Sequence, residues 1–148
     1  MPYQHLLVPS DGTPRSDAAL GQALVLAKAL GARLTVLHVQ APLPVSILGM
    51  GDMLDPATIE SLTTIAEQES SRILEEARAA AAAQGVEIQT ELLKHDLPHR
   101  AIVDAALRHG CDLIVMASHG RKGLSGLLLG SETQRVLLQS SVPVLVVR

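Results

Sequence analysis

Five short runs, mostly apolar, alternate with helix-forming segments, and this alternation constrains the chain more than any other feature. His5-Leu6-Leu7-Val8 stops at Pro9-Ser10-Asp11-Gly12, and the other runs are Leu34 to Val39, Val86 to Leu93, Asp112 to Met116 and Val142 to Val147. Runs of this length bounded by Gly, Pro and Asp read as strands. Between them, Ser16 to Leu30 carries Leu20, Ala23, Leu24, Ala27 and Leu30 at helical spacing, with Thr13 or Ser16 as cap and Gly31 as stop. Pro56 opens a long helix to about Gln84, with Ile59, Leu62, Ala66, Ile73 and Ala77 on its expected apolar face. His99 to His109 and Ser131 to about Ser140 complete the set. Strands apolar on both faces, alternating with helices, predict a parallel sheet covered on both sides. The third run instead alternates Val86, Ile88, Thr90 and Leu92 with Glu87, Gln89 and Glu91, which predicts a half-exposed edge strand.

Open parallel sheets take ligands outside the carboxyl ends of their strands, where the strand order reverses. Two loops compete for that place, Pro9 to Gly12 and the stretch from Met116 to Thr133. The latter holds Gly120, Gly123, Gly126 and Gly130, four of eleven glycines, and closes on Ser131-Glu132-Thr133 at a helix start. Glycine lets a ligand approach the backbone, and a helix start offers N–H groups to an anion, so the stretch reads as an anion cradle. The alternative is a surface loop whose glycines only turn the chain, with Ser131 an ordinary cap. If the first and fourth strands are neighbours, both loops face one crevice, suited to a nucleotide-sized ligand with its anion at Gly130 to Thr133. The segment from Gln40 to Asp55 carries Pro42, Pro44, Gly49 and Gly51, excludes a regular element, and reads as a lid or partner surface.

At 148 residues the chain is expected to form one domain, 1–148. A formal charge of −3 and a single aromatic residue, Tyr3, argue against a nucleic-acid binder, which needs a basic face or stacking platforms. Cys111 is the only cysteine, so no intrachain disulfide can form; it reads as a small buried residue in a protein of a reducing compartment. No signal-like segment or apolar run of membrane-spanning length is present, so a cytoplasmic protein without membrane partners is expected. His95 and His99 straddle Pro98, and His5 and His38 read as packed or hydrogen-bonded, so no metal site made of protein alone is expected. There is no phosphate-binding Gly-x-x-x-x-Gly-Lys loop, nucleophile elbow or His-Glu-x-x-His, and no catalytic residue is assigned.

Ser118-His119-Gly120-Arg121-Lys122-Gly123-Leu124, Leu128-Leu129-Gly130-Ser131 and Val142-Pro143-Val144-Leu145-Val146-Val147 resemble the universal stress protein family, as do Leu7-Val8-Pro9-Ser10-Asp11-Gly12 and Leu37-His38-Val39. The resemblance runs the whole chain. It implies a Rossmann-like α/β fold, an open five-stranded parallel sheet in the order 3-2-1-4-5. ATP-binding members share Gly, two residues, Gly, nine residues, Gly, then Ser or Thr. Gly120 and Gly130-Ser131 fit, whereas Ala117 replaces the first glycine. Carried over, the pattern implies that Pro9, Ser10 and Asp11 line the crevice, Asp11 near the ribose or a metal. Val39 would meet the adenine edge with its backbone, with Met116 and Ala117 nearby. Gly120, Gly130, Ser131 and Thr133 would hold the phosphates, with Arg121 reaching the terminal one. His119 would organise the loop, and Glu132 would sit beside the phosphates, repelling them unless it turns away or helps hold a metal.

The implied cofactors are ATP, or ADP or AMP, with Mg2+ carried by the nucleotide. The implied function is an ATP-binding stress-response or regulatory protein whose occupancy orders the 117–131 loop and alters the binding of protein partners. A homodimer through the Val142–Val147 edge is the implied assembly. The competing readings are a nucleotide-free homodimeric interaction module and a slow ATP-hydrolysing enzyme, with at most weak ATPase activity expected.

Overall fold

The computed structural model describes residues 2–43, 55–119 and 129–148. Its strands are β1 (His5–Pro9), β2 (Arg33–Gln40), β3 (Ile88–Lys94), β4 (Leu113–Ala117) and β5 (Val144–Val147). Its helices are α1 (Pro14–Leu30), α2 (Pro56–Ala83), α3 (Pro98–Arg108) and α4 (Ser131–Gln139). All strand pairs are parallel, in the order β3-β2-β1-β4-β5, as the resemblance implies.

The two faces explain why the inner strands are apolar throughout. Leu6, Val8, Leu34, Val36, Leu113 and Val115 meet Leu20, Leu24 and Ala27 of α1 and Leu74, Ala77 and Ala81 of α2. Leu7, Leu37, Ile114 and Met116 point the other way, onto Ile102, Ala105 and Ala106 of α3 and Val136 of α4. Fully buried leucines such as Leu6, Leu7 and Leu37 each contribute about 2 kcal/mol of hydrophobic stabilisation. β3 lies at one edge, as expected, but its burial follows the expected alternation only through Ile88, Gln89 and Thr90. Glu91 is half-buried, bonded to Arg108 and close to His109 at the end of α3, while Leu92 is 38% exposed.

Local chemistry sets the element ends. Thr13 caps α1, its hydroxyl accepting from Ser16 N, with Pro14 in the first turn. Gly31 ends the helix at φ 65° with its N–H on the Ala27 and Lys28 carbonyls. β3 starts at Ile88, two residues later than the alternation suggests, because the Val86 N–H is bonded to Ala81 O at the end of α2. β5 starts at Val144 because Val142 N binds Ser140 Oγ and Pro143 has no N–H.

α2 departs from its expected apolar face. Only Ser70, Ile73, Leu74, Ala77 and Ala81 are buried, and Leu62 is 38% exposed. At about 1.5 Å per residue its 28 residues span roughly 42 Å, whereas the eight of β2 span roughly 26 Å. The Ser70 hydroxyl donates to Gln40 Oε1 on the last residue of β2. The residues of α2 before Ser70 thus run past the carboxyl edge of the sheet, where there is no strand to bury Ile59, Leu62 and Ala66.

Candidate functional site

β1 and β4 part early. β1 keeps register with β2 over five residue pairs and β4 with β5 over four, but β1 and β4 share only Leu6–Leu113 and Leu7–Ile114. Pro9 at the end of β1 has no N–H to extend the ladder. The parting lies at the carboxyl edge, between the strands where the chain order reverses, which is where open α/β sheets place their ligand crevice.

The first wall is the β1–α1 loop. Ser10 N donates to Leu37 O at 2.8 Å, and the Ser10 carbonyl accepts from His38 Nδ1 at 2.8 Å. Ser16 Oγ accepts from Asp11 N and donates to Ser10 Oγ. Asp11 Oδ1 accepts from Thr13 N at 3.0 Å and from Thr13 Oγ1 at 2.6 Å, so the carboxylate is tied into the turn that starts α1. Gly12, at φ 78°, lies against Ile73 of α2.

Val39 forms the floor beside β1. Leu37 O faces β1, accepting from Ser10 N, and Gln40 O faces β3, accepting from His95 N. Carbonyls alternate along a strand, so the N–H and C=O of Val39 face the β1 side. β1 ends opposite Leu37, so Val39 presents both groups beyond it.

The second wall is the end of β4 and the start of α4. Ala117 pairs with Val147 as the last residue of β4. No described residue other than glycine has positive φ, so alanine here adds a methyl group without backbone strain. Met116 is 6% exposed and belongs to the core beneath the wall. Thr133, 2% exposed, donates its hydroxyl to Ala117 O at 2.9 Å. Gly130 N donates to Ser118 O at 2.7 Å, and Ser118 N to Val147 O at 2.9 Å. These bonds clamp the two ends of the glycine-rich segment. Its interior, including Gly120, Arg121, Gly123 and Gly126, lies outside the described residues, as do Val45, Ile47, Leu48, Met50 and Met53 of the other long loop.

α4 begins at Ser131 with Gly130 as N-cap and no side-chain cap bond. The first-turn N–H groups of a helix have no intrahelical partner and carry partial positive charge. His119 is 5% exposed, with Nδ1 3.0 Å from Ser118 Oγ and Nε2 without a hydrogen-bond partner among the described residues.

The sequence left the partners of three side chains open. His38, expected to be packed or hydrogen-bonded, donates to the Ser10 carbonyl. Glu132 turns away from its own helix start and binds His99 of α3, with Oε2 2.8 Å from His99 N and 3.0 Å from Nδ1, while Oε1 accepts from Arg135. His95 and His99 do not act together, since His95 Nδ1 accepts from Leu97 N. Among the described residues no three His, Cys, Asp or Glu side chains are placed to hold a metal ion. No described helix is long and apolar enough to cross a membrane.

A second polar cluster lies at the opposite, amino edge of the sheet. Asp112 accepts from the N–H groups of Gln4 and His5, and His5 Nε2 is 2.8 Å from Thr35 Oγ1. Burial, together with the nearby Arg33, lowers the His5 pKa.

A parallel sheet with this order, a crevice where β1 leaves β4, and a helix start with a glycine N-cap beside it define a Rossmann-like α/β protein. The chain belongs to the universal stress protein family, whose family model matches residues 2–148. It is 34% identical to the universal stress protein YxiE of Bacillus subtilis, over 99% of each chain. The solved structure of MJ0577, from Methanocaldococcus jannaschii, superposes with a TM-score of 0.81 at 26% identity, covering 99% of this chain and 96% of that one. A universal stress protein solved in complex with cAMP superposes with a TM-score of 0.70 at 27% identity, covering 99% and 97%.

Proposed function

We propose that this protein binds an adenine nucleotide, with ATP as the leading candidate, in the crevice between the ends of β1 and β4. The observation that carries this reading is the early parting of these strands, with the Val39 N–H and C=O on one side and the glycine-capped start of α4 on the other. An adenine edge offers one acceptor and one donor side by side, which a single residue's N–H and C=O can match. A phosphate suits the first-turn N–H groups of α4. The relative solved with cAMP, another adenine nucleotide, supports the choice of base.

In this reading Pro9, Ser10 and Asp11 flank the ribose, and Gly120, Gly130, Ser131 and Thr133 hold the phosphates, with Arg121 and His119 on the same loop. The buried Thr133 hydroxyl already serves Ala117, so Thr133 contributes its backbone N–H. Mg2+ enters with the phosphates, near Asp11. Chain 1–148 acts as one nucleotide-binding domain of a cytoplasmic protein. Occupancy orders the 117–131 loop and changes the surface offered to protein partners. Slow ATP hydrolysis is the most the reading allows. A homodimer through residues 142–147 would cover Leu138 and Leu145, which are 85% and 43% exposed.

Calorimetric titration with ATP and Mg2+, followed by ADP and AMP, tests the binding. Hydrogen exchange with and without ATP tests the ordering of residues 117–131. Heat of binding together with added protection supports the proposal. Absence of heat at millimolar nucleotide overturns it, and binding without protection overturns the switching part.

A further inference from the structure

Glu132 stands in the first turn of α4, where the proposed phosphates would lie. A carboxylate there has two places to go. In the first turn of a helix an acidic side chain is drawn to that helix's own N–H groups and positive end. Those are the groups a phosphate would use, so Glu132 is a built-in competitor for the anion.

The structure sends it elsewhere. Oε2 accepts two bonds from His99, one from the backbone N–H at 2.8 Å and one from Nδ1 at 3.0 Å, and Oε1 accepts from Arg135 Nη1 at 2.9 Å. An ionised carboxylate has no hydrogen to give, so His99 Nδ1 carries the proton. His99 is 7% exposed and sits in the first turn of α3, whose N-cap Leu97 makes no side-chain cap bond. Glu132 therefore caps α3 from across the helix pair, and the positive end of α3 helps draw it away from α4.

We propose that His99 is a positioning residue for the phosphate end of the crevice: by holding Glu132 on α3, it keeps a negative charge out of the field at the start of α4. The inference rests on the nucleotide reading and deepens it, assigning a role to a residue that touches no part of the proposed ligand. Losing the His99 ring removes one of the three bonds that hold Glu132 and loosens its carboxylate toward the start of α4, which opposes a ligand in proportion to its negative charge.

The test measures binding of ATP, AMP and adenosine to the wild type, His99→Ala, His99→Asn, Glu132→Gln and the double variant His99→Ala/Glu132→Gln. His99→Ala is expected to weaken ATP about 10-fold, AMP less, and adenosine hardly at all, because the effect is electrostatic. His99→Asn keeps a side-chain N–H donor and should stay within about threefold of wild type for all three. The double variant should regain ATP affinity. Equal weakening for all three ligands, or no recovery in the double variant, reduces His99 to a packing role and overturns the inference. Should His99→Ala fail to fold, Glu132→Asp keeps the charge on an arm too short for His99, and the same grading by ligand charge is expected. A wild type that binds ATP while the variants show no grading sinks the inference alone. A wild type that binds none of the three sinks the nucleotide reading and this inference with it.

Discussion

Gly12→Ala isolates what holds the first wall of the crevice. Gly12 has φ 78°, and a Cβ built there would come within 2.9 Å of Ile73 Cγ1 and 3.1 Å of Cδ1. The left-handed backbone costs an alanine about 1–2 kcal/mol. Forcing a methyl group into packed contact costs about 1–3 kcal/mol more. Cγ1 is next to the Ile73 backbone of a buried helix face and cannot swing aside, so the two terms add to about 2–5 kcal/mol. Ile73→Ala separates them. On its own it costs about 2–5 kcal/mol as a cavity. In its background Gly12→Ala should cost only the backbone part, about 1–2 kcal/mol. Urea unfolding of the wild type, both single variants and the double variant gives the coupling directly, and thermal melts should show about 2–4 °C per kcal/mol for a chain of this size. Equal costs of Gly12→Ala in both backgrounds would refute the claim that Ile73 pins the loop. Since this loop carries Ser10 and Asp11, nucleotide affinity should fall in Gly12→Ala and partly recover in the double variant.

Three further outcomes are expected. Val39→Pro should change stability by only about 1 kcal/mol, because no β1 residue stands in register opposite Val39, yet it should abolish adenine-nucleotide binding; Leu37→Pro, inside the ladder, should cost about 3 kcal/mol or more in the same unfolding assay. His5 has its pKa lowered, chiefly by burial, so below about pH 6.5 the unfolded chain takes up a proton that the folded one resists. Stability measured by urea unfolding should therefore decline from about pH 6.5 down to the folded pKa, and His5→Gln should flatten that limb. Cys111 is buried and its pKa is pushed up to about 11 by that burial, so the native protein should resist thiol labelling at pH 8 and react once unfolded.

The order of elements was legible because each strand is a short run ended by residues with strong local preferences. Pro9, which has no N–H, and Gly31, at φ 65°, each close an element by local chemistry. The edge position of β3 was legible from the polar residues interleaved in its run, although burial follows that alternation only as far as Thr90. Where distant groups decide, local reading stopped short. Val86 looks like strand, but its N–H is already taken by Ala81. Leu62 looks like core, yet the sheet ends before α2 does. The His99–Glu132 contact joins residues 33 apart in sequence, and neither side chain signals the other. Asp11 was open to a turn reading and a ligand reading; its bonds to Thr13 show the turn role, and the ligand role belongs to the nucleotide proposal.

At the carboxyl edge of the sheet, polar side chains mostly serve the fold. His38 serves Ser10, Ser16 serves Ser10 and Asp11, Thr133 serves Ala117, and Glu132 serves His99. Among the described residues, the backbone groups of Val39 and of the first turn of α4 also face the crevice. Backbone recognition depends on where the strands and helix end, so it tolerates side-chain change better than recognition by a charged residue. Ala117 illustrates this. As a strand residue paired with Val147 it keeps the β4 end in place without positive φ, so the methyl group leaves the adjacent backbone geometry intact. A substitution that moves an element end, such as Gly12→Ala, should therefore harm binding more than one that alters a side chain on the wall.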